Sequence, residues 1–232
     1  MRVGERVDEL LALRLDASDR FFQCEAARVA AVCRTLAEAF LRGGRLLAVG
    51  GSPQALRPGD RVLLSGPIGL HGMAIMLARG EFELGAEVES DTRPLWPAVD
   101  ALLEAAGRSL RCLRDATRGG VASVANELAR ASGVAIVIRE AQVPVQPAVA
   151  GACEILGIDP MYVANEGRLV AFVAPESAGD ALAALRAVPG CEGAAEIGEV
   201  RDEPPGLVLV ETAFGGRRVM DMLVGDPLPR IC

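Results

Sequence analysis

The sequence predicts an α/β fold in which helices cover a mixed sheet, preceded by an N-terminal helical segment. Strand-like and helix-like stretches alternate between residues 61 and 188, as they do in α/β domains. Two further strand-like stretches, 195–200 and 207–211, follow one another without a helix between them. The combination of alternating and adjacent strands favours a mixed sheet over a purely parallel one.

The first 55 residues are predicted to form a separate helical segment. An apolar stripe with alternating spacings of four and three marks one face of a helix. It consists of Phe22, Ala26, Val29, Cys33, Leu36 and Phe40. Asp16 or Ser18 can cap the start of this helix, Gly43-Gly44 ends it, and a short strand at 45–49 leads to Gly50-Gly51-Ser52.

This helix, strand and glycine-rich loop resemble the opening of a sugar-isomerase (SIS) domain, whose loop after the first strand holds a phosphosugar. The same pattern is also typical of an amphipathic helix that packs on a neighbour or on a second copy of the chain. The sequence leaves both interpretations open.

The second domain is predicted to span residues 56–224, with the remaining residues, 225–232, as a tail. After the turn at Arg57-Pro58-Gly59-Asp60, strands are predicted at 61–65, 109–113, 134–138, 169–173, 195–200 and 207–211. Helices are predicted at 71–79, 96–106, 121–131, 147–156 and 177–188.

The composition excludes several classes of function. A net charge of −7 argues against a nucleic-acid or anionic-membrane partner, and no apolar run is long enough for a membrane span. Six cysteines without a CxxC pair indicate a reduced, cytoplasmic protein. His71 is the only histidine and there is no lysine, which excludes a His-rich metal site, Schiff-base chemistry and a P-loop lysine.

The loop 115–120 joins a predicted strand to a predicted helix and is a candidate anion site. Backbone N–H groups at a helix start attract phosphate, and Gly119 and Gly120 permit a close approach. Arg118 adds hydrogen-bond donors, and Asp115 can bind a cation or accept a hydrogen bond. An ordinary glycine turn remains the alternative.

The segment 159–167 concentrates polar residues between a helix and an apolar strand, where they need partners or a substrate. Glu166 stands just before the strand, and partial burial there favours its use as a base. His71 follows a glycine loop at a helix start, where it serves either as a catalyst or as a capping or packing residue. A solvated surface turn is the alternative for the segment.

The tail ends in Pro227-Leu228-Pro229-Arg230-Ile231-Cys232. Two prolines stiffen it and favour an extended arm, whose terminal thiol can enter a site end-on and carry a group there. The alternative is a frayed terminus with an incidental thiol.

Taken together, these motifs resemble the C-terminal half of the HypE family of hydrogenase maturation proteins, over about three quarters of the chain. The matching stretches are 58–60, 65–72, 114–120, 159–167, 197–200, 214–218 and the terminal 227–232. The middle motifs are shared with other ATP-using relatives of aminoimidazole ribonucleotide synthetase, whereas the terminal Pro-Arg-Ile-Cys is specific to HypE.

The resemblance implies a function in [NiFe]-hydrogenase maturation. A HypF-like carbamoyltransferase loads the terminal thiol, ATP and Mg²⁺ support dehydration to a thiocyanate, and the cyano group passes to iron on a HypC–HypD complex. The resemblance also implies roles for individual residues. Cys232, Glu166 and His71 would be catalytic, and the nucleotide would be bound by Asp115, Thr117, Arg118, Gly119, Gly120 and Asn165.

The N-terminal half of HypE, which forms most of the ATP and magnesium site and the dimer, has no counterpart here, and the SIS-like segment stands in its place. We therefore expect a homodimer or completion by another chain. The alternatives are a carbamoyl-accepting carrier without its own ATP site and a sugar-phosphate-binding SIS remnant.

Overall fold

The computed structural model describes residues 16, 19–21, 23–35, 37–38, 56–80 and 88–222. The chain divides into two compact units, Met1–Leu47 and Ala48–Cys232. In the first unit all described residues are helical, and we call this helix α1. The predicted strand at 45–49 and the Gly50-Gly51-Ser52 loop of the SIS-like segment lie outside the described residues.

The second unit is built on a mixed seven-stranded sheet. The strands are β1 (Arg61–Leu64), β2 (Leu110–Asp115), β3 (Ala135–Arg139), β4 (Leu169–Val173), β5 (Ala195–Arg201), β6 (Val208–Glu211) and β7 (Arg217–Val219). Their order in the sheet is β2-β4-β1-β5-β3-β6-β7. Only the β3–β6 pair is parallel, and every other neighbouring pair is antiparallel.

Five described helices accompany the sheet: α2 (Leu70–Ala78), α3 (Trp96–Ala106), α4 (Gly120–Ser132), α5 (Pro147–Leu156) and α6 (Ala178–Ala187). A proline in the first turn of α3 and of α5 has a backbone angle already suited to a helix start. Gly133 and Gly157 end α4 and α5 in the left-handed conformation that most other residues avoid.

The two faces of the sheet are covered by different helices. Alternate residues of a strand point to opposite faces, so Val62 and Leu64 pack in the cluster beneath α4, whereas Leu63 packs in the cluster beneath α3 and α6. Phe172 of β4 is fully buried on the α4 face. The sheet is therefore the middle layer of the unit, as a helix-covered α/β fold requires.

A third apolar cluster joins α2 to α5. It contains Leu70, Met73 and Met76 of α2 together with Val149, Ala152 and Cys153 of α5, and Val163 adds to it from the segment that precedes β4. This packing holds the first turn of α2 against the segment that carries Glu166.

On the side of the sheet away from α4, strands β1, β5, β3, β6 and β7 carry paired charges. Glu199 accepts hydrogen bonds from Arg61 at 2.7 Å and from Arg201 at 2.7 Å. Arg139 donates to Glu196 at 3.0 Å, and Arg217 donates to Glu211 at 2.8 Å. Opposite charges on neighbouring strands stabilise the register in which they face one another.

The predicted α/β fold with a mixed, helix-covered sheet is confirmed. The bounds of α3, α5 and β4 are those predicted, and the other predicted elements differ by up to two residues at an end. Strand β7 was not predicted, because Arg217-Arg218-Val219 lacks the apolar alternation that marks a strand.

We expect the charged side of the sheet to make the free energy of unfolding depend on pH in the acidic range. The hydrogen bond from Arg201, together with the charges of Arg201, Arg61 and Arg139, lowers the pKa of Glu199 against the opposing effect of burial. A carboxylate whose pKa is lowered on folding contributes stability above its unfolded pKa of about 4.3, and this contribution is lost as the pH falls through the folded value.

Glu199→Gln should therefore lower the free energy of unfolding by about 1 kcal/mol at neutral pH. The difference from the unsubstituted chain should shrink toward zero as the pH falls through the lowered folded pKa of Glu199, below which both chains carry a neutral group at this position. Urea-induced unfolding at neutral and at strongly acidic pH measures the two differences. An equal loss at both pH values would contradict a charge-based contribution.

Candidate active site

Three loops meet at the side chain of Asn165, which is fully buried. Its Oδ1 accepts the backbone N–H of Gly69 at 2.8 Å. Its Nδ2 donates to the carbonyls of Ala116 at 2.9 Å and Val163 at 3.0 Å. This one amide thus forms hydrogen bonds with the loop before α2, the loop 115–120 and the segment 163–167. These bonds use both amide hydrogens and one lone pair of Oδ1. Nucleotide contact by Asn165 stays a prediction.

The loop 115–120 enters α4 through two left-handed glycines, Gly119 with φ 67° and Gly120 with φ 59°. A Cβ at Gly120 would lie 2.5 Å from the carbonyl oxygen of Met161 and 2.6 Å from that of Val163. Only glycine lets the start of α4 pack this closely on the segment before β4. The predicted glycine loop is thus a close-packed junction.

The polar residues of this loop lie on its accessible side. Asp115 and Arg118 are exposed, and the Thr117 hydroxyl donates to Asp115 Oδ2 at 3.3 Å. The N-cap residue of α4 is Gly119, which has no side chain that could cap the helix. A helix start without a side-chain cap, flanked by Thr117 and Arg118, is chemically suited to an anionic group such as phosphate.

Glu166 and His71 lie on adjoining segments. The backbone N–H of Gly72 donates to the carbonyl of Ala164 at 3.1 Å, which joins the first turn of α2 to the segment before β4. Glu166 and His71 are both half-buried, and His71 Nδ1 lies 2.8 Å from Ser90 Oγ. The structure therefore places two of the predicted catalytic residues on segments that are hydrogen-bonded to each other.

The chain is held beside this region just before it continues into the tail. The Tyr162 hydroxyl donates to the carbonyl of Asp221 at 2.8 Å, and Asn126 Nδ2 donates to the carbonyl of Met220 at 2.8 Å. Cys232 and the rest of residues 223–232 lie outside the described residues.

The described cysteines differ in exposure. Cys24 and Cys33 on α1 are exposed, whereas Cys112, Cys153 and Cys191 are buried. Burial, together with the charge of Asp159, raises the pKa of Cys153 to about 11, and burial also raises the pKa values of Cys112 and Cys191. These three thiols are poor nucleophiles at neutral pH.

Sequence reasoning missed the buried ion pair that supports the Glu166 segment. Asp91 Oδ2 lies 3.5 Å from Arg168 Nε, and both side chains are almost completely buried. The polar run Ser90-Asp91-Thr92-Arg93 just before α3 was the available signal, but no local pattern shows that it contacts residues 166–168. Among the described residues no group of three or more His, Cys, Asp or Glu side chains could hold a metal ion.

Residues 57–210 match the family described as AIR synthase related protein, C-terminal domain. The chain belongs to this family. Carbamoyl dehydratase HypE of Bradyrhizobium diazoefficiens is 49% identical to this chain over 181 residues. The matched residues cover 78% of this chain and 52% of that protein. HypE of Rhodobacter capsulatus is 48% identical over 189 residues, or 82% and 54% of the two chains.

Solved HypE structures share the fold of the AIR synthase related chain. HypE in complex with ATP superposes with a TM-score of 0.74 at 40% identity, covering 82% of this chain and 57% of that one. A HypE–HypF complex matches with a TM-score of 0.71 at 41% identity, covering 74% and 55%. This chain spans about half the length of the curated relatives it matches.

The predicted resemblance to HypE and to the AIR synthase superfamily is confirmed by these similarities. Among the described residues, no helix of the AIR synthase related chain is both long and apolar enough to cross a bilayer. The roles of the individual site residues and the SIS-like interpretation stay predictions.

Gly120→Ala should destabilise the protein strongly. The new Cβ requires an unfavourable left-handed backbone and also contacts two carbonyl oxygens, so we expect a loss of about 2–5 kcal/mol in the free energy of unfolding. Gly133→Ala is the matched control, because Gly133 has a similar φ of 65° and nothing within 4 Å of the new Cβ. Its loss should be about 1 kcal/mol, and equal losses in urea titrations would contradict the close packing at Gly120.

The substitution Asn165→Asp tests the hydrogen bonds of Asn165 to the three loops, because Asp has almost the same shape as Asn. A carboxylate can still accept the Gly69 N–H, but it places an oxygen against the carbonyls of Ala116 and Val163 in place of a donor. We expect a loss of about 2–4 kcal/mol at neutral pH, comparable to that of Asn165→Ala, in thermal or urea unfolding. Wild-type stability of Asn165→Asp would show that the donor bonds do not hold the loops.

Proposed function

We propose that this chain carries the acceptor cysteine and the dehydration site of a HypE-type carbamoyl dehydratase. Cys232 accepts a carbamoyl group, and dehydration of that group gives a thiocyanate, the source of the cyanide ligand of the active-site iron in [NiFe]-hydrogenase. The observation that carries the proposal is the attachment of Asp221, just before the tail, to Tyr162 of the segment that contains Glu166.

The dehydration step removes one oxygen and two protons from the group S–C(=O)–NH₂ and leaves S–C≡N. ATP supplies the phosphoryl group that turns the carbamoyl oxygen into a leaving group, and that oxygen departs as inorganic phosphate. Glu166, half-buried before β4, takes a proton from the nitrogen. His71 on the adjoining segment is the second group for proton transfer, and Thr117, Arg118 and the start of α4 bind the departing phosphate.

ATP is supported as a substrate by the solved structure of the related HypE with ATP. The loop Asp115–Gly120 offers it a phosphate contact, because the exposed Arg118 guanidinium lies next to the start of α4, whose N-cap Gly119 has no side chain. Asp115, with Thr117 bonded to it, is the carboxylate in this loop that can contact the Mg²⁺ bound to the nucleotide.

The partners follow from the same chemistry. A HypF-like carbamoyltransferase supplies the carbamoyl group, which is supported by the solved complex of HypE with HypF. A HypC–HypD complex receives the cyano group on iron. We also propose that the site works in a homodimer or together with another chain, and that the protein acts in the cytoplasm.

Intact-mass spectrometry tests this function. The chain is incubated with a HypF-type transferase, carbamoyl phosphate and ATP, and its mass is followed over time. We expect the mass of one carbamoyl group to be gained and the mass of one water then to be lost. Glu166→Gln should retain the gain and slow the loss by roughly 100-fold or more, the scale of a missing general base.

Cys232→Ala should abolish the gain, whereas Cys112→Ala should retain it, because Cys112 is buried and its pKa is raised by burial. The reverse pattern would sink the proposal. A carbamoyl group that appears and persists with ATP present would instead identify a carrier module that depends on another chain for dehydration.

A further inference from the structure

Three consecutive residues, Ser90, Asp91 and Thr92, contact the segments of both candidate proton-transfer residues. Asp91 Oδ1 accepts the backbone N–H of Glu166 at 3.1 Å. Ser90 Oγ lies 2.8 Å from His71 Nδ1. The three residues thus connect two loops that belong to distant parts of the sequence.

The contact to Glu166 is buried and closely fitted. Asp91 is 1% exposed, and its second oxygen, Oδ2, has no hydrogen-bond partner among the described residues and lies 3.5 Å from the guanidinium of Arg168. Arg168 is held in turn by the carbonyls of Pro67 at 2.9 Å and Gly190 at 2.8 Å. A Cβ on Gly167 would overlap the carbonyl oxygen of Asp91, so the two backbones touch. Glu166 is therefore flanked by residues fixed to Asp91.

The contact to His71 runs through two hydroxyl groups at the surface. Ser90 Oγ accepts the backbone N–H of Thr92 at 3.2 Å and lies 2.7 Å from Thr92 Oγ1, which is itself 3.4 Å from His71 Nδ1. If Thr92 donates to Ser90 and Ser90 donates to His71, both hydroxyl hydrogens are used within the group. In the opposite direction, the Nδ1–H of His71 donates to Ser90 and Ser90 donates to Thr92. The Thr92 hydroxyl hydrogen then has no acceptor among these three side chains. The first direction makes Nδ1 an acceptor and places the proton on Nε2.

We propose that the segment Ser90-Asp91-Thr92 is a positioning device for the two proton-transfer residues. Asp91 fixes the backbone of Glu166, and the Thr92–Ser90 hydroxyl chain fixes the His71 ring in the Nε2–H tautomer. The roles of His71 and Glu166 in proton transfer rest on the proposed function. The placement of the two residues by this segment does not, so the experiments below report on atoms and not on turnover.

The tautomer of His71 is measured by ¹⁵N nuclear magnetic resonance, which separates protonated from unprotonated ring nitrogens. His71 is the only histidine, so its ring signals need no further assignment. At about pH 9, where imidazole rings are neutral, the unsubstituted chain should show a protonated Nε2 and an unprotonated Nδ1. Ser90→Ala should shift the signals toward a mixture of tautomers, and Ser90→Thr, which keeps the hydroxyl, should restore them. A protonated Nδ1 in the unsubstituted chain, or unchanged signals in Ser90→Ala, would overturn this part.

The hold of Asp91 on Glu166 is measured by amide hydrogen exchange. The Glu166 amide should be protected in the unsubstituted chain to an extent similar to that of Leu169, whose amide bonds to Ser65 Oγ at 3.0 Å. Asp91→Asn keeps the shape, but its amide can offer an oxygen to only one of Glu166 and Arg168. Exchange at Glu166 should therefore become roughly tenfold faster, the scale of one lost hydrogen bond, while exchange at Leu169 stays unchanged.

The two amides separate a local effect from a loss of stability. Equal acceleration at Glu166 and Leu169 would show that Asp91 supports the fold in general and would overturn its positioning role. If Asp91→Asn does not fold, hydrogen exchange in the unsubstituted chain still tests the proposal. An unprotected Glu166 amide there would contradict its hydrogen bond to Asp91. None of these outcomes depends on whether the chain dehydrates a carbamoyl group.

Discussion

The arrangement of the candidate site depends on the amide of Asn165. Its oxygen and nitrogen bind three backbone groups from three loops, at 2.8, 2.9 and 3.0 Å. Backbone groups buried between loops have no water to bind, so each one without a partner costs about 1–3 kcal/mol. Two carbonyls and one N–H are satisfied at once only by a side chain with two donor hydrogens and an acceptor, and asparagine is the shortest neutral side chain that has them. The strands place the loops near each other, and this amide fixes their relative positions.

Close backbone contacts also hold these loops together. Gly120 lets the start of α4 contact the carbonyls of Met161 and Val163, and Gly167 lets the Glu166 segment contact Asp91. Such contacts hold the start of α4 against the segment before β4, while Asp115 and Arg118 beside it stay exposed. The carbonyl of Asp221 is bound by Tyr162 of the same segment, so the tail that ends in Cys232 starts from a fixed point. For the proposed role of Cys232, a fixed starting point would raise the effective concentration of its thiol near Glu166.

The sequence predicted the regular part of the fold because that part follows local rules. Periodicity located α3, α5 and β4 to the residue, and the glycines at 119 and 120 marked the entry to α4. Their positions in the sequence singled out Glu166 and His71 before the family resemblance was considered, but only the structure shows what holds them. Asp91 and Glu166 are 75 residues apart, and Ser90 and His71 are 19 apart. No pattern in a window of ten or twenty residues carries such pairings. Strand β7 was missed for a different reason, since its arginines pair with Glu140, Asp159 and Glu211 and need no apolar alternation.

The buried pair of Asp91 and Arg168 shows why the Glu166 segment needs a guanidinium. Burial is the main effect that lowers the pKa of Arg168, with a further contribution from the charge of Arg93, yet a guanidinium stays protonated because its ordinary pKa is far above neutrality. Its Nε donates to the Pro67 carbonyl and lies 3.5 Å from Asp91 Oδ2, and its Nη1 donates to the Gly190 carbonyl. A lysine ammonium has one nitrogen and loses its proton more readily on burial, so it cannot replace this set of contacts. Residues 165 and 168 are thus anchored by a buried amide and a buried cation, and Glu166 stands between them with its side chain half-exposed. For the proton transfer proposed above, a backbone held at both sides fixes where the Glu166 side chain starts, so less of the backbone's freedom remains to be lost when a substrate binds.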